Sequence, residues 1–253
     1  TRIGNLSLYY RGSIAIPIFF MASSYFVLNK RTISYFYVMK RVGDILFIII
    51  GWILIYSIIH LCITHYFVFF EDLKGSAFVG IPNQHFYHFW FFWALIMMLV
   101  LSPLLWYLLQ KNFVGYLILT GIVTLICIGI DISMHFGNSS NIQNIPQVFR
   151  LYLYIEYYLL GGLIGNRHFE KIKKICKQHF EIISIVTIIL YVAVVAYSTW
   201  NRNIIHWPYA EANYGNALII FTSVLILIIF SIFSPRNKKV IEFIIPATMG
   251  IYM

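Results

Sequence analysis

The sequence predicts an all-α, polytopic transmembrane helix bundle, and three observations carry that prediction. Hydrophobic residues fill 60% of the 253 positions and charged residues only 11%, with a mean hydropathy of +0.80. A soluble domain is about 45–50% apolar and about 25% charged, so one water-facing core could not hide this much apolar surface. The apolar residues also gather in runs close to the ~20 residues that cross a bilayer as a helix. Between those runs, Lys and Arg concentrate in alternate loops, which is the charge pattern of membrane topology. Soluble single-core enzymes, coiled coils, disordered regions and disulfide scaffolds are excluded on these grounds.

The elements follow in order. Ile14–Leu28 comes first, short for a span unless Leu6–Tyr10 extends it. Ile45–Cys62 is entered through Lys40 and Arg41, with Asp44 a turn later. Phe89–Leu109 opens in the densest aromatic stretch of the chain, and Phe113–Ile132 follows Lys111. Val148–Ile164, Ile182–Tyr197 and Ala217–Phe233 complete seven runs, and an eighth starts at Ile241. About eight helices are therefore expected in one transmembrane domain over residues 1–253. Many β-branched residues lie inside the runs, but in lipid each backbone group must bond within its own segment, so helix prevails over strand. The loops 63–88, 133–147 and 198–216 are rich in aromatics, His and Asn.

Charge orients the bundle. Lys30, Arg31, Lys40, Arg41, Lys111, Arg167, Lys171, Lys173, Lys174, Lys177, Arg236, Lys238 and Lys239 share one set of loops. Lys74, Arg150 and Arg202 lie on the other side, and Arg2 and Arg11 precede the first run. The positive-inside rule places the first set in the cytoplasm. The net charge of +9 is thereby explained by topology, and no basic groove with interleaved aromatics points to nucleic acid. Cys62, Cys127 and Cys176 form neither a disulfide framework nor a CxxC site. The chain begins at Thr1, without a recognisable signal peptide, and stops within an apolar run, which predicts a portion of a longer protein, incomplete at both ends.

Candidate site residues come from polarity in an apolar setting. Glu156 lies midway along Val148–Ile164, where an ionisable group is costly and marks function by default. It could act as a general base, orient a histidine, or simply pair with Arg150. Lys40 and Arg41 either anchor a helix at the interface or clamp phosphates, for which Arg geometry is suited. His85 and His88, in the stretch from His85 to Trp90, form an aromatic belt or, sharing a helix face, two ligands of a metal whose third ligand is not apparent. No metal is expected. His60, His65, His135, His206 and Asp131 read as interfacial groups near helix ends. GxSxG, GxGxxG, Walker and HExxH motifs are absent.

Several segments, in order, resemble the integral-membrane acyltransferase family three, whose members move acyl groups from coenzyme A onto surface sugars. Ile16-Pro-Ile-Phe-Phe-Met-Ala-Ser-Ser-Tyr25 resembles the family's "VPLFFMISGY" helix, and Tyr35–Phe47, with Lys40 and Arg41, its next basic stretch. Phe86-Tyr-His-Phe-Trp-Phe-Phe-Trp-Ala-Leu95 and Leu101-Ser-Pro-Leu-Leu105 resemble "YHLWFLYAL…LTPLL". Tyr154–Gly165 resembles "yyLLGyliG", and Met249–Tyr252 resembles "SxGIYxIH" short of its His. The likeness is to the enterobacterial common antigen O-acetyltransferase type, and the family's roughly ten helices would leave the first and last outside this chain.

The resemblance implies a bacterial inner-membrane enzyme that moves an acetyl or similar group from cytoplasmic acetyl-CoA to a polysaccharide or lipid-linked sugar. Carried over by position, Arg41 with Lys40 would hold the coenzyme A phosphates. Ser23 and Tyr25 would line the acyl path, and His88 and Trp90 would shape the acceptor site. Glu156 joins His88 as a catalytic candidate on its depth alone, not on a family motif. Three departures stand out: no residue matches the His of the family's first helix, Ser24 replaces a Gly, and Asp44 stands where many members have a second Arg. The first departure implies that this chain alone is inactive. A transporter or flippase of lipid-linked saccharide, or a membrane scaffold, would use the same polar residues without acyl chemistry.

Overall fold

The computed structural model describes residues 14–77, 85–136, 147–200 and 214–232. Within them every regular element is a helix, and seven apolar helices match the seven apolar runs. They are α1 (Ala15–Val27), α2 (Tyr35–Thr64), α4 (Trp90–Lys111), α5 (Phe113–Phe136), α6 (Leu151–Gly165), α8 (Phe180–Trp200) and α9 (Ala217–Ile232). Two short helices, α3 (Phe69–Ala77) and α7 (Glu170–Gln178), lie at opposite ends of the bundle, with single 3-10 turns at Tyr87–Phe89, Gln147–Phe149 and Arg167–Phe169. By length and composition α2, α4, α5 and α8 can each cross a membrane, and α1, α6 and α9 are shorter apolar helices. The chain is a multi-pass membrane protein. The run from Ile241, the Met249–Tyr252 segment, Leu6–Tyr10, Arg2, Arg11, Arg202, His206, Arg236, Lys238 and Lys239 lie outside the described residues, as does the side chain of His135.

Local chemistry explains the boundaries that the apolar runs did not give. α2 begins ten residues before Ile45 because Ser34, in extended conformation, accepts a hydrogen bond from Tyr37 N–H at 3.1 Å and caps the helix. Lys40, Arg41 and Asp44 therefore belong to the helix and not to a loop. At the far end His65 takes a left-handed conformation, φ 59°, which stops α2 after 30 residues, about 45 Å of rise. Loop 63–88 contains a helix because Glu71 and Asp72 occupy the first turn of α3 and Lys74 its last, each charge matched to the helix dipole. Pro17 sits in the first turn of α1, where a missing N–H costs nothing.

The centre of the bundle is α6, buried on nearly every face at Leu153, Tyr154, Glu156, Tyr157, Tyr158, Leu159, Gly161, Gly162 and Ile164. It packs most closely on α1. A Cβ at Gly161 would drive into the Met21 carbonyl oxygen and one at Gly165 into the Asn29 amide, so two glycines four apart let the backbones approach. Asn29 then ties the pair, its amide donating to the Tyr25 and Gly162 carbonyls at 3.0 Å each. Stacked Phe20 and Tyr154 extend the same interface. On the periphery, α2, α5 and α8 turn large apolar side chains outward, among them Phe47, Leu125 and Ile188, as helices facing lipid should.

Candidate active site

A polar seam runs between α5 and α6. On α5, Tyr116, Thr120, Thr124, Cys127 and Asp131 recur at three- and four-residue spacing and so share one face. The Tyr116 hydroxyl donates to the Leu159 carbonyl at 2.8 Å, and the Cys127 thiol lies 3.8 Å from the Tyr152 carbonyl oxygen. Midway, the Thr124 hydroxyl is 2.7 Å from Glu156 Oε1 and 2.9 Å from the Thr120 carbonyl oxygen. Glu156 is fully buried, and its Oε2 has no hydrogen-bond partner among the described residues. The Tyr152 hydroxyl, one turn away on α6, is likewise buried without one. Glu156 does not pair with Arg150; among the described residues its polar partner is Thr124. Each unmet buried polar atom costs about 1–3 kcal/mol, so the middle of the seam holds polarity that packing does not need.

Asp131 ends the seam, near the end of the apolar span of α5, and is buried against the bundle, with Oδ2 accepting from the Ala217 N–H at 3.3 Å. Ala217 opens α9, so the carboxylate meets the positive end of a helix dipole, where an anion is stabilised.

The two ends of the bundle differ sharply in charge. Lys30, Arg31, Lys40, Arg41, Lys111, Arg167, Lys171, Lys173, Lys174 and Lys177 collect at one end, where α1 hands over to α2, α4 to α5 and α6 to α8. Arg41 is exposed, with Nε 3.3 Å from the Tyr37 hydroxyl, and Lys30 Nζ sits 3.7 Å above the same ring. Lys40 is exposed beside them. Lys173 is buried, held by Glu170 at 2.9 Å and lying 3.5 Å from the Tyr25 hydroxyl. The opposite end carries only Lys74 and Arg150 among the described residues.

A family model for an acyltransferase domain matches residues 2–253. The chain belongs to this acyltransferase family. Neither a curated protein nor a solved structure matches it. The family implies acyltransferase activity.

In this acyltransferase the residues singled out from sequence fall into three places. Arg41 and Lys40 lie at the basic end, and Tyr25 joins them through Lys173. Ser23 is half-buried on α1, beside Ser24, which is buried against Gly161. Trp90 is buried at the opposite end, its ring 5.7 Å from Tyr154 and 6.5 Å from Tyr214. His88 is half-buried with its ring edge-on to Phe89 at 4.8 Å, and burial holds its imidazole below the usual histidine value. Glu156 stands between the two ends. His88 and His85 do not converge: His85 turns to Asp72 on α3 at 3.0 Å. Among the described residues no three His, Cys, Asp or Glu side chains gather as metal ligands.

Sequence reasoning missed Asp72, Thr124 and Tyr152. Asp72 was hidden because α3 read as loop. Thr124 could have been found from the four-residue recurrence Tyr116, Thr120, Thr124 inside an otherwise apolar run.

Proposed function

We propose that this acyltransferase moves an acetyl or similar acyl group from acyl-CoA to a hydroxyl of a cell-surface polysaccharide or lipid-linked sugar. Its place would be the bacterial inner membrane, and its type that of the enterobacterial common antigen O-acetyltransferases. The observation that carries the reading is the charge asymmetry of the bundle around a buried carboxylate. A multiply phosphorylated donor is attracted to the end that holds Arg41, Lys40 and Lys30, and the positive-inside rule turns that end to the cytoplasm, where acyl-CoA is found. Arg and Lys differ there: the Arg41 guanidinium offers a planar fork to phosphate oxygens, whereas Lys40 acts as a point charge.

The acceptor then belongs at the opposite end, beside Trp90 and His88. Ser23 and Tyr25 would line the path between the ends, Tyr25 where it reaches Lys173 at the basic end. Glu156 and Thr124 form the polar station within the membrane, a hydrogen-bond acceptor for a group passing along the seam or a relay for the proton that transfer releases.

The complete protein, purified in lipid nanodiscs and given radiolabelled acetyl-CoA and a panel of methyl glycosides, tests this directly. Label should appear on a glycoside, and Arg41→Ala should raise the KM for acetyl-CoA roughly tenfold, the scale of one charge-assisted hydrogen bond. A folded protein that neither binds coenzyme A nor transfers acetyl would sink the reading. Movement of a lipid-linked saccharide without acylation would replace it with a flippase.

A further inference from the structure

A second polar feature lies away from the seam, on the short helix α7. Its sequence, Glu170-Lys-Ile-Lys-Lys-Ile-Cys-Lys-Gln178, sorts into three stripes at helical spacing. Phe169, just before the helix, and Lys173 and Cys176 within it turn to the bundle. Phe169 and Cys176 pack on its core, and Lys173 is buried. Lys173 is also met there, donating to Glu170 at 2.9 Å and lying 3.5 Å from the Tyr25 hydroxyl of α1. On the next side Ile172 and Ile175 are 45% and 56% exposed. On the third side Lys171, Lys174 and Lys177 recur every third residue, all exposed. None of these three has a hydrogen-bond or ion-pair partner among the described residues, because Glu170, the one acid of the helix, is taken by Lys173.

The chain fixes the depth of this helix. α6 ends at Gly165 and α8 begins at Phe180, so α7 has no length of chain in which to leave the end of the bundle. His179 alone separates it from α8. α8 has 21 residues, about 31 Å of rise, which matches the roughly 30 Å of the hydrocarbon layer. Phe180 therefore lies at one edge of that layer, with α7 in the headgroup zone beside it. In water, two neighbouring isoleucines on a helix otherwise charged or polar would have nothing to cover them. At a lipid surface they have acyl chains below, and the lysine stripe next to them has phosphates at its own level. The charge selects among lipids: three unpaired ammonium groups attract an anionic headgroup and gain little from a zwitterionic one. α7 also stands at the basic end of the bundle, which the positive-inside rule turns to the cytoplasmic leaflet, where anionic lipid sets a negative surface potential.

We propose that α7 is an interfacial helix that binds the headgroups of anionic phospholipids through Lys171, Lys174 and Lys177, with Ile172 and Ile175 inserted among the acyl chains. The basic end of the bundle then serves two kinds of anion, a donor at Arg41, Lys40 and Lys30 and a lipid at α7. A protein without acyl chemistry would seat α7 in the same way.

Native mass spectrometry of the complete protein in detergent, titrated with phosphatidylglycerol or with phosphatidylcholine of the same chains, reads the preference. Wild type should favour phosphatidylglycerol by on the order of 10²-fold, about fivefold for each of the three lysines. The triple variant Lys171→Gln, Lys174→Gln, Lys177→Gln should lose at least about tenfold of that preference, and a smaller loss overturns the assignment. A triple variant that keeps the preference but binds coenzyme A more weakly would give these lysines to the donor and overturn it as well. Should the triple variant fail to fold, the depth of the helix decides. With Cys62, Cys127 and Cys176 replaced by Ser, a nitroxide on Ile175→Cys in nanodiscs of phosphatidylcholine and phosphatidylglycerol should relax faster with oxygen than with a water-soluble nickel chelate. A nitroxide on Lys174→Cys should show the reverse. A label at position 175 that favours the chelate puts α7 in water, and the proposal falls.

Discussion

Glu156 and Asp131 are both buried carboxylates on the one seam between α5 and α6, and their surroundings could hardly differ more. Asp131 accepts from the first N–H of α9, so its charge meets the positive end of a helix whose first turn Asn216 also caps. Glu156 has one oxygen on Thr124 and the other on nothing among the described residues. Removing Asp131 exposes a defect in the fold; removing the charge of Glu156 relieves one. A buried acid that costs stability and closes no helix end is the better candidate for chemistry, whatever its rank in a list of charges. Burial marks both residues as unusual, and only their partners separate a capping group from a working one.

Substitution at the two sites should separate them first by activity. Glu156→Gln keeps the shape and the bond from Thr124 but removes the charge. Acetyl transfer should fall by about 10²-fold while the melting temperature holds or rises. Asp131→Asn, measured in the same assay, should retain activity within about threefold once matched for folded protein, since a capping group acts on stability. Equal losses at both positions would erase the distinction.

The reverse contrast belongs to stability. Asp131→Ala removes both the acceptor for Ala217 N–H and the charge at the N-terminus of α9, a loss of about 1–2 kcal/mol. Thermal unfolding in detergent should show it as a lowered melting temperature. An unchanged melting temperature would mean that the bond from Ala217 contributes nothing.

How much of this was legible beforehand follows from the kind of force involved. Each of the seven apolar helices was visible as an apolar run, because lipid imposes composition on each of them independently of its neighbours. The start of α2 was not, since Ser34 caps an aromatic turn followed by Lys40, Arg41 and Asp44, charges that hydropathy alone assigns to a loop. α3 and α7 escaped for a related reason: both are short and charged, and nine residues are too few to register as a run. At the site, Glu156 stood out because one charge in an apolar stretch is rare. Its neighbour Thr124 is 32 residues away, and the Asp72–His85 pair joins residues 13 apart across a segment read as loop. Pairings of that kind depend on how helices dock, which a single sequence does not display. The family likeness contributed what the physics could not, the acyl chemistry itself, and residues 2–253 bear it out.

The Thr124–Glu156 bond offers a finer test of the seam. Thr124→Val keeps the volume and deletes the donor, leaving the buried carboxylate with neither oxygen bonded, and should cost about 1–3 kcal/mol. In a Glu156→Gln background the same change should cost about 1 kcal/mol less, because no charge is then stranded. A double-mutant cycle on thermal or denaturant unfolding measures the difference. Strict additivity would show that the two side chains do not depend on each other, and Glu156 would lose its one identified partner.

The smallest expected effect concerns His88, at the same end as Trp90 and half-buried where His85 is exposed. Burial disfavours its charged form, so the folded value lies below the unfolded one. The sign follows from proton counting: as pH falls, the unfolded chain binds the proton first, and the folded state is penalised. The contribution of His88 to stability is therefore complete above the ordinary histidine value of about 6.5 and is lost as pH drops through it toward the lower folded value. Comparing melting temperatures at about pH 7.5 and pH 5.5, wild type should lose more than His88→Gln, in which this one titration is gone. Identical losses would mean that the imidazole is as well solvated in the folded protein as in the unfolded chain, and the aromatic shelter of Phe86 and Phe89 would then have no bearing on its charge.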